Sequence, residues 1–348
     1  MTPFETAGGP VPHAPDLRMG AVMRDAIRGS KRSGRLGRLR TGIVLFAASA
    51  VALVTMGLTS APAGASGLPV PTGSTAVTEA LANYLLSPDA VTGANNWFCR
   101  PSAAHPYPVV LVPATAANVG FNWVTYSPAL VNAGYCVFSF NYGQTIPLFP
   151  ADGLGDIAAS AQTLSSFVNL VLSVTGARQV DLVGHSQGGM MPNYYLKFLG
   201  GAPKVHVFVG LAPSNHGTTL DGLVNLGNNL GILGVVNSFF NVTNLPGLYE
   251  QEQGSAFQTH LFAGGDTVAG PRYVVIETDH DEVVTPYTNA FLTGPNVTNI
   301  LLQNQCPSDP VAHIGMFDDG VALQDTLNAL GADSPTFTPT CTNYGLPL

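Results

Sequence analysis

The sequence has few charged residues, and basic residues are rare beyond residue 40. Of 348 residues, 13 are Lys or Arg and 21 are Asp or Glu, and residues 1–40 hold eight of the basic ones. The other five are scattered along the chain: Arg100, Arg178, Lys197, Lys204 and Arg272. Nucleic-acid-binding proteins present basic side chains in a patch or stripe, so we expect no nucleic acid as a partner.

Cysteine is also scarce, with four residues in the chain: Cys99, Cys136, Cys306 and Cys341. They form no Cys-x-x-Cys pair and the histidines form no cluster, so the sequence has no zinc-type ligand spacing and we expect no metal. An even number of cysteines in an exported protein favours two disulfides. Three pairings are possible, and the order along the chain suggests Cys99 with Cys136 and Cys306 with Cys341.

Long hydrophobic runs are missing except near the N-terminus, where the sixteen residues 43–58 are mostly apolar. They follow the basic residues and precede a stretch of small residues at 61–65, which is the order of a secretory signal. The alternative is an uncleaved membrane anchor, but the run is shorter than the roughly 20 residues that span a bilayer. We expect a signal peptide at 1–65, secretion, and one domain at 66–348 with five basic and 18 acidic residues.

Beyond residue 108, short runs rich in β-branched and apolar residues alternate with longer helix-like segments. The runs lie at 109–112, 136–140, 180–183, 205–211, 273–277 and 299–303, and the main helix-like segments at 155–174 and 190–199. Continuous apolar runs are typical of strands buried on both faces of a sheet. Their alternation with helices predicts an α/β fold with a mostly parallel central sheet and flanking helices.

One insertion interrupts this alternation. Residues 217–262 separate two predicted strands, and within them 221–240 form an apolar run with interleaved Gly and Asn. Such a run suits a mobile cap over an apolar cleft, and it suits an ordinary buried helix pair equally well. Apolar periodicity alone does not separate these interpretations.

The segment Gly184-His185-Ser186-Gln187-Gly188 carries the strongest chemical signal, because it lies between a predicted strand and a predicted helix. Gly-x-Ser-x-Gly in that position is the nucleophile elbow, although a turn of small residues is the simpler alternative. The glycines permit the sharp turn that exposes the serine hydroxyl. We predict Ser186 as the nucleophile and the backbone N–H of Gln187 as one oxyanion donor.

A nucleophilic serine needs a histidine base and an acid that orients the histidine. In chains with a nucleophile elbow the acid follows the serine, and the histidine follows the acid. His313 comes ten residues after the predicted strand 299–303, among small and apolar residues that suit a neutral imidazole, and it is the predicted base. Four carboxylates lie at or after the strand 273–277: Glu277, Asp279, Asp281 and Glu282. The loop position favours Asp281, with Asp279 second.

A second oxyanion donor should come from the loop 112–118, which follows the first predicted strand. Within this loop Thr115 offers a backbone N–H and a hydroxyl, and we predict it as the second donor.

Several motifs are spaced along residues 106–315: Pro106-Tyr107-Pro108-Val109-Val110-Leu111-Val112, Asn122-Trp123, Gly134-Tyr135-Cys136-Val137-Phe138, Gly184-His185-Ser186-Gln187-Gly188-Gly189-Met190, Gly264-Gly265-Asp266-Thr267, Asp281-Glu282-Val283-Val284-Thr285-Pro286-Tyr287 and His313-Ile314-Gly315. Together they resemble the motifs of the secreted, mostly actinobacterial class 2 lipases. A more distant similarity is to fungal lipase B, in the Val-Pro-x-Thr, Ser-Gln-Gly-Gly and Asp-Glu-x-Val motifs. The resemblance implies an α/β-hydrolase fold, hydrolysis of acylglycerols or simpler esters, and no cofactor.

Position by position, the resemblance assigns Ser186, Asp281 and His313 as a catalytic triad and Thr115 and Gln187 as oxyanion donors. It also supports the sequential disulfides. One departure stands out: this chain has Pro113-Ala114 where the bacterial family usually has His-Gly before the oxyanion threonine. The added Cβ of Ala114 would narrow this loop or misaim the Thr115 N–H.

The sequence thus predicts a secreted carboxylic ester hydrolase that acts on lipid-like esters through an acyl-enzyme. Two alternatives use the same fold: an acyltransferase with the same triad, and a lipid-binding protein without catalysis. We expect a monomer whose partner is a lipid or small ester substrate, with transient contact to a lipid interface.

Overall fold

The computed structural model describes residues 67–146, 149–219, 221–222, 225 and 245–347. The predicted signal peptide at 1–65 lies outside the described residues, as does most of the apolar run at 221–240.

A six-stranded parallel sheet forms the centre of the domain. Its strands are β1 (Val109–Val112), β2 (Val137–Ser139), β3 (Val180–His185), β4 (Val205–Leu211), β5 (Arg272–Glu277) and β6 (Val297–Leu301). The strand order is β2-β1-β3-β4-β5-β6, and every neighbouring pair is parallel. The predicted mostly parallel central sheet is therefore confirmed.

Helices cover both faces of this sheet. In the described residues they are Ser74–Leu86, Val119–Asn122, Tyr126–Asn132, Ile157–Thr175, Gln187–Met190, Pro192–Phe198, Pro246–Tyr249, Ala256–Phe262, Leu302–Gln305 and Gly320–Leu330, with 3-10 turns at Ala202–Lys204, Tyr287–Ala290 and Ile314–Phe317. Successive strand residues point to opposite faces, so Val109 and Leu111 belong to one apolar cluster and Val110 and Val112 to the other. This double burial explains why the strands are continuous apolar runs.

Several element boundaries differ from the prediction by one to three residues, and two of these differences have a clear physical reason. The last strand is Val297–Leu301 rather than 299–303, because a short helix with a buried Leu302 begins directly after it. The helix predicted at 190–199 starts earlier, at Gln187, and is divided in two at Pro192. Proline has no N–H for an intrahelical bond and is favoured in the first turn of a helix, so a new helix begins there.

The predicted cap insertion at 217–262 is described in part. Its later portion contains the helices Pro246–Tyr249 and Ala256–Phe262, and Thr218 forms an isolated parallel bridge with Glu252. The apolar run at 221–240 lies outside the described residues except for 221, 222 and 225.

Two disulfides fasten the edges of the domain. Cys99 is bonded to Cys136 and Cys306 to Cys341, so the sequential pairing is confirmed. The first joins the segment before β1 to the start of β2, and the second joins the C-terminal segment to the helix after β6. Because it lowers the conformational entropy of the unfolded chain, a disulfide typically contributes about 2–4 kcal/mol to the free energy of unfolding.

Candidate active site

Ser186 lies at the sharp turn between β3 and the helix Gln187–Met190, at the carboxyl edge of the sheet. Its φ of 56° is in the left-handed region, which a non-glycine residue adopts at a cost. The flanking glycines are required by close backbone packing: a Cβ on Gly184 would lie 1.8 Å from the Gly188 carbonyl oxygen, and one on Gly188 would lie 2.2 Å from that of Val112. The spacing of glycines around Ser186 is therefore a steric requirement of this turn.

The structure brings three of the predicted site residues into one hydrogen-bonded chain. His313 Nε2 lies 2.9 Å from Ser186 Oγ, and His313 Nδ1 lies 2.7 Å from Asp281 Oδ2. All three side chains are buried. A carboxylate only accepts, so Nδ1 carries the proton that it donates to Asp281, and the neutral ring presents Nε2 as an acceptor for the Ser186 hydroxyl.

Asp281 is held in place by the backbone that follows it. Its Oδ1 accepts the N–H of Val283 at 2.8 Å and that of Val284 at 2.7 Å, which leaves Oδ2 directed at His313. Asp279, the second candidate for the acid, is exposed, and its carboxylate lies 3.4 Å from Nε2 of the exposed His280. The geometry therefore joins Asp281, and not Asp279, to His313.

His185, inside the elbow, packs beside the turn as expected. Its Nε2 donates to the backbone carbonyl of His313 at 3.0 Å and so ties the elbow to the segment that carries the predicted base. Burial, and then the nearby His313, lower the pKa of His185 to about 3. The ring is therefore neutral at ordinary pH and adds no charge to the site.

The loop after β1 places Thr115 beside the elbow, buried under polar side chains. Thr115 Oγ1 accepts a hydrogen bond from Gln187 Nε2 at 3.1 Å and another from Gln251 Nε2 at 3.0 Å. These two donors occupy its acceptor capacity, so the hydroxyl's own proton is left to donate. The backbone N–H of Gln187, at the first position of its helix, has no intrahelical acceptor.

Gln251 is a site residue that sequence reasoning missed. The carbonyl of Gly247 accepts from its Nε2 at 2.6 Å and Ser214 Oγ donates to its Oε1 at 2.9 Å, which fixes the orientation of the amide. The Thr115 hydroxyl can also donate to Gln251 Oε1 at 3.4 Å, a long hydrogen bond that a developing oxyanion could replace. Gln251 is 136 residues from Thr115 and belongs to no motif, so no local pattern could have identified it.

Ala114, the departure from the family pattern, fits its position. Unlike Ala116, whose φ is 59°, Ala114 is not in the left-handed region, so its Cβ adds no backbone strain. Its N–H donates to Asn122 Oδ1 at 2.9 Å, which anchors the loop just before Thr115. The expected misaiming of the loop by this Cβ therefore has no backbone cause.

This arrangement has the parts that acyl transfer needs. The hydroxyl of Ser186 faces a nitrogen that can take its proton, and Asp281 can stabilise the imidazolium that results. Gln187 and Thr115 lie next to Ser186 in the sequence or in space and present donors that a developing oxyanion could accept.

Comparison with known proteins concerns the family and the fold. Residues 106–325 match the family model for lipase (class 2). The fold is similar to that of lipase B from Aspergillus fumigatus, with a TM-score of 0.52 and 20% identity over 74% of this chain and 62% of that chain, so this chain spans less than two thirds of its length. Mature lipase BlEst2 from Bacillus licheniformis aligns with a TM-score of 0.49 and 16% identity, over 70% of this chain and 96% of that one.

At these identities the structural similarity concerns the fold, and it confirms the expected α/β-hydrolase architecture. The family match extends from the segment before β1, through the elbow and the acid loop, to beyond His313, and it covers more than half of the residues. This chain belongs to the class 2 lipase family.

Proposed function

We propose that this protein is a secreted serine hydrolase that cleaves carboxylic esters, with Ser186 as nucleophile, His313 as general base and Asp281 as the acid that orients His313. The observation that carries the proposal is the position of His313, 2.9 Å from Ser186 Oγ and 2.7 Å from Asp281 Oδ2. Membership in the class 2 lipases supports ester hydrolysis independently.

The reaction begins when Ser186 Oγ attacks the carbonyl carbon of the ester and His313 Nε2 takes the hydroxyl proton. The tetrahedral oxyanion accepts hydrogen bonds from the Gln187 backbone N–H and from Thr115. His313 then gives its proton to the departing alkoxide, which leaves Ser186 acylated. A water molecule, deprotonated by His313, attacks the acyl-enzyme and releases the carboxylic acid.

The family match supports lipid-like substrates, because residues 106–325 match the model for lipase (class 2). We therefore propose an ester with an aliphatic acyl chain as the substrate class.

Secretion is supported by the disulfides. Both cysteine pairs are bonded, which is typical of oxidising compartments outside the cytosol. Together with the signal-like segment at 1–65, they favour an exported hydrolase over a cytosolic one.

The direct test is reaction of the wild-type protein with a fluorophosphonate, followed by peptide mass spectrometry. We expect one phosphonylated residue, Ser186, with loss of fluoride. A protein that binds lipid without catalysis would remain unlabelled, and that result would overturn the proposal.

A series of p-nitrophenyl esters, hydrolysed with and without micelles, then defines the substrate class. Retained activity at long chains supports lipid-like esters, and a sharp fall beyond short chains overturns that substrate class.

The hydroxyl of Thr115 offers a test of the oxyanion assignment. Thr115→Val keeps the shape and the backbone N–H but removes the O–H, so kcat should fall by about 10²–10³, the effect typical of losing one such donor. KM should change little, because the bond strengthens only in the transition state. The measurement is steady-state hydrolysis of a soluble ester, with Thr115→Ser as the control that keeps the hydroxyl. A kcat for Thr115→Val close to that of the wild type would show that the Thr115 hydroxyl is not an oxyanion donor.

A further inference from the structure

Glu277 is a fully buried carboxyl group directly behind the candidate acid. It is the last residue of β5, four residues before Asp281, and none of its side chain is exposed. One oxygen, Oε1, accepts the backbone N–H of Thr278 at 2.8 Å. The other, Oε2, is buried and meets no N–H or O–H donor among the described residues.

A buried carboxylate with an unpaired oxygen is costly, and a neutral acid avoids the cost. Burial raises the pKa of Glu277 well above its ordinary value, and the negative charge of Asp281 raises it further, against the opposing effect of the Thr278 N–H. The neutral acid is therefore the form of Glu277 that this environment favours. A protonated carboxyl has one O–H to donate, and the neighbouring carboxylate whose charge acts on Glu277 is that of Asp281.

We propose that Glu277 is a positioning residue of the active site, a neutral acid that donates a hydrogen bond to the Asp281 carboxylate and thereby tunes the basicity of His313. The inference rests on the proposed role of Asp281, His313 and Ser186. Asp281 would then have four donors: the N–H groups of Val283 and Val284, His313 Nδ1 and the Glu277 hydroxyl.

The consequence for His313 follows from electrostatics. An O–H donor disperses the negative charge of Asp281, so the carboxylate stabilises the His313 imidazolium less than it would alone. Removal of the donor should therefore strengthen the stabilisation of the His313 imidazolium by Asp281. Since the base must be neutral to accept the Ser186 proton, the acid limb of the kcat/KM profile should move to higher pH.

Other titratable groups near this pair are unchanged in the two Glu277 variants. On the elbow, His185 has its pKa lowered to about 3 and stays neutral. On the loop before His313, Asp309 accepts the N–H of Val311, and burial raises its pKa. On the acid loop, Asp279 and His280 form an exposed pair. A shift seen only when Glu277 is changed is therefore due to Glu277.

The test compares Glu277→Leu, which has no donor, with Glu277→Gln, which keeps an N–H donor and cannot ionise. We expect kcat/KM of Glu277→Leu to fall by about ten- to a hundredfold, as for a lost hydrogen bond to a charged group, and its acid limb to move up by about half a pH unit or more. Glu277→Gln should recover most of the lost activity. Asp279→Asn, a change of an exposed acid in the same loop, should leave the acid limb in place.

Infrared difference spectra between the wild type and Glu277→Gln at neutral pH test the proton directly, and they decide the question if Glu277→Leu does not fold. The expected difference is the loss of one carboxylic-acid C=O band. No such loss, or an unshifted acid limb in folded Glu277→Leu, would overturn the inference. Fluorophosphonate labelling of the wild type distinguishes a failure of this inference from a failure of the proposed function. If Ser186 is labelled and these results are negative, only the role of Glu277 fails.

Discussion

Ser186→Ala should lower the kcat for hydrolysis of a soluble p-nitrophenyl ester by about a million-fold, the loss seen when a serine nucleophile is removed from such a triad. Alanine has no oxygen to attack the ester, so no acyl-enzyme forms and His313 has no proton to take. Residual catalysis of about 10³–10⁴ over water should remain, because the oxyanion donors and the binding surface are unchanged. KM should therefore stay near the wild-type value.

The control for this variant is a serine whose hydroxyl serves only its own helix. Ser166 donates to the Gln162 carbonyl on the exposed side of Ile157–Thr175, so Ser166→Ala should retain full activity. Thermal unfolding of Ser186→Ala should match the wild type, since Ala keeps a Cβ at the same strained φ. If folded Ser186→Ala retained more than about a hundredth of the activity, a different nucleophile would have to be sought.

Much of the sheet could be predicted because its strands are buried on both faces. Val109–Val112 and Val205–Leu211 have the predicted bounds, since a continuous apolar run begins and ends where burial does. At the sheet edge this signal weakens: β6 has exposed and half-buried residues, and its predicted position was two residues late. Burial on both faces, rather than strand propensity alone, made the boundaries readable.

The candidate site residues that could be predicted from the sequence lie at the ends of strands or in the loops that follow them. Ser186, Asp281 and His313 each come directly after a strand or in the loop beyond it, so parallel topology brings them to one edge. Gln251 and Glu277 carry no comparable signal. The role of Gln251 depends on a contact with Thr115, 136 residues away. The role of Glu277 depends on its burial and on an unpaired oxygen. Both features arise from three-dimensional packing and leave no local pattern in the sequence.

Asp281→Asn should lower kcat by about 10⁴, as in serine hydrolases in which this change leaves the geometry intact. The backbone N–H groups that follow Asp281 explain this loss of activity. The N–H groups of Val283 and Val284 require an acceptor at the Oδ1 position, so the asparagine carbonyl must face them and its NH₂ must face His313. The amide then donates to Nδ1, which forces the ring proton onto Nε2, and that nitrogen cannot accept the Ser186 proton.

The matched control is Asp279→Asn, two residues away on the same loop. Asp279 is exposed and pairs with the exposed His280, so its loss should leave kcat within about twofold, as for most surface changes. Steady-state kinetics of both variants, with folding checked by circular dichroism, separates the two carboxylates that the sequence alone left in competition. If Asp279→Asn instead abolished turnover while Asp281→Asn did not, the acid would have to be reassigned. The 2.7 Å bond between His313 and Asp281 would then be a structural contact without a catalytic role.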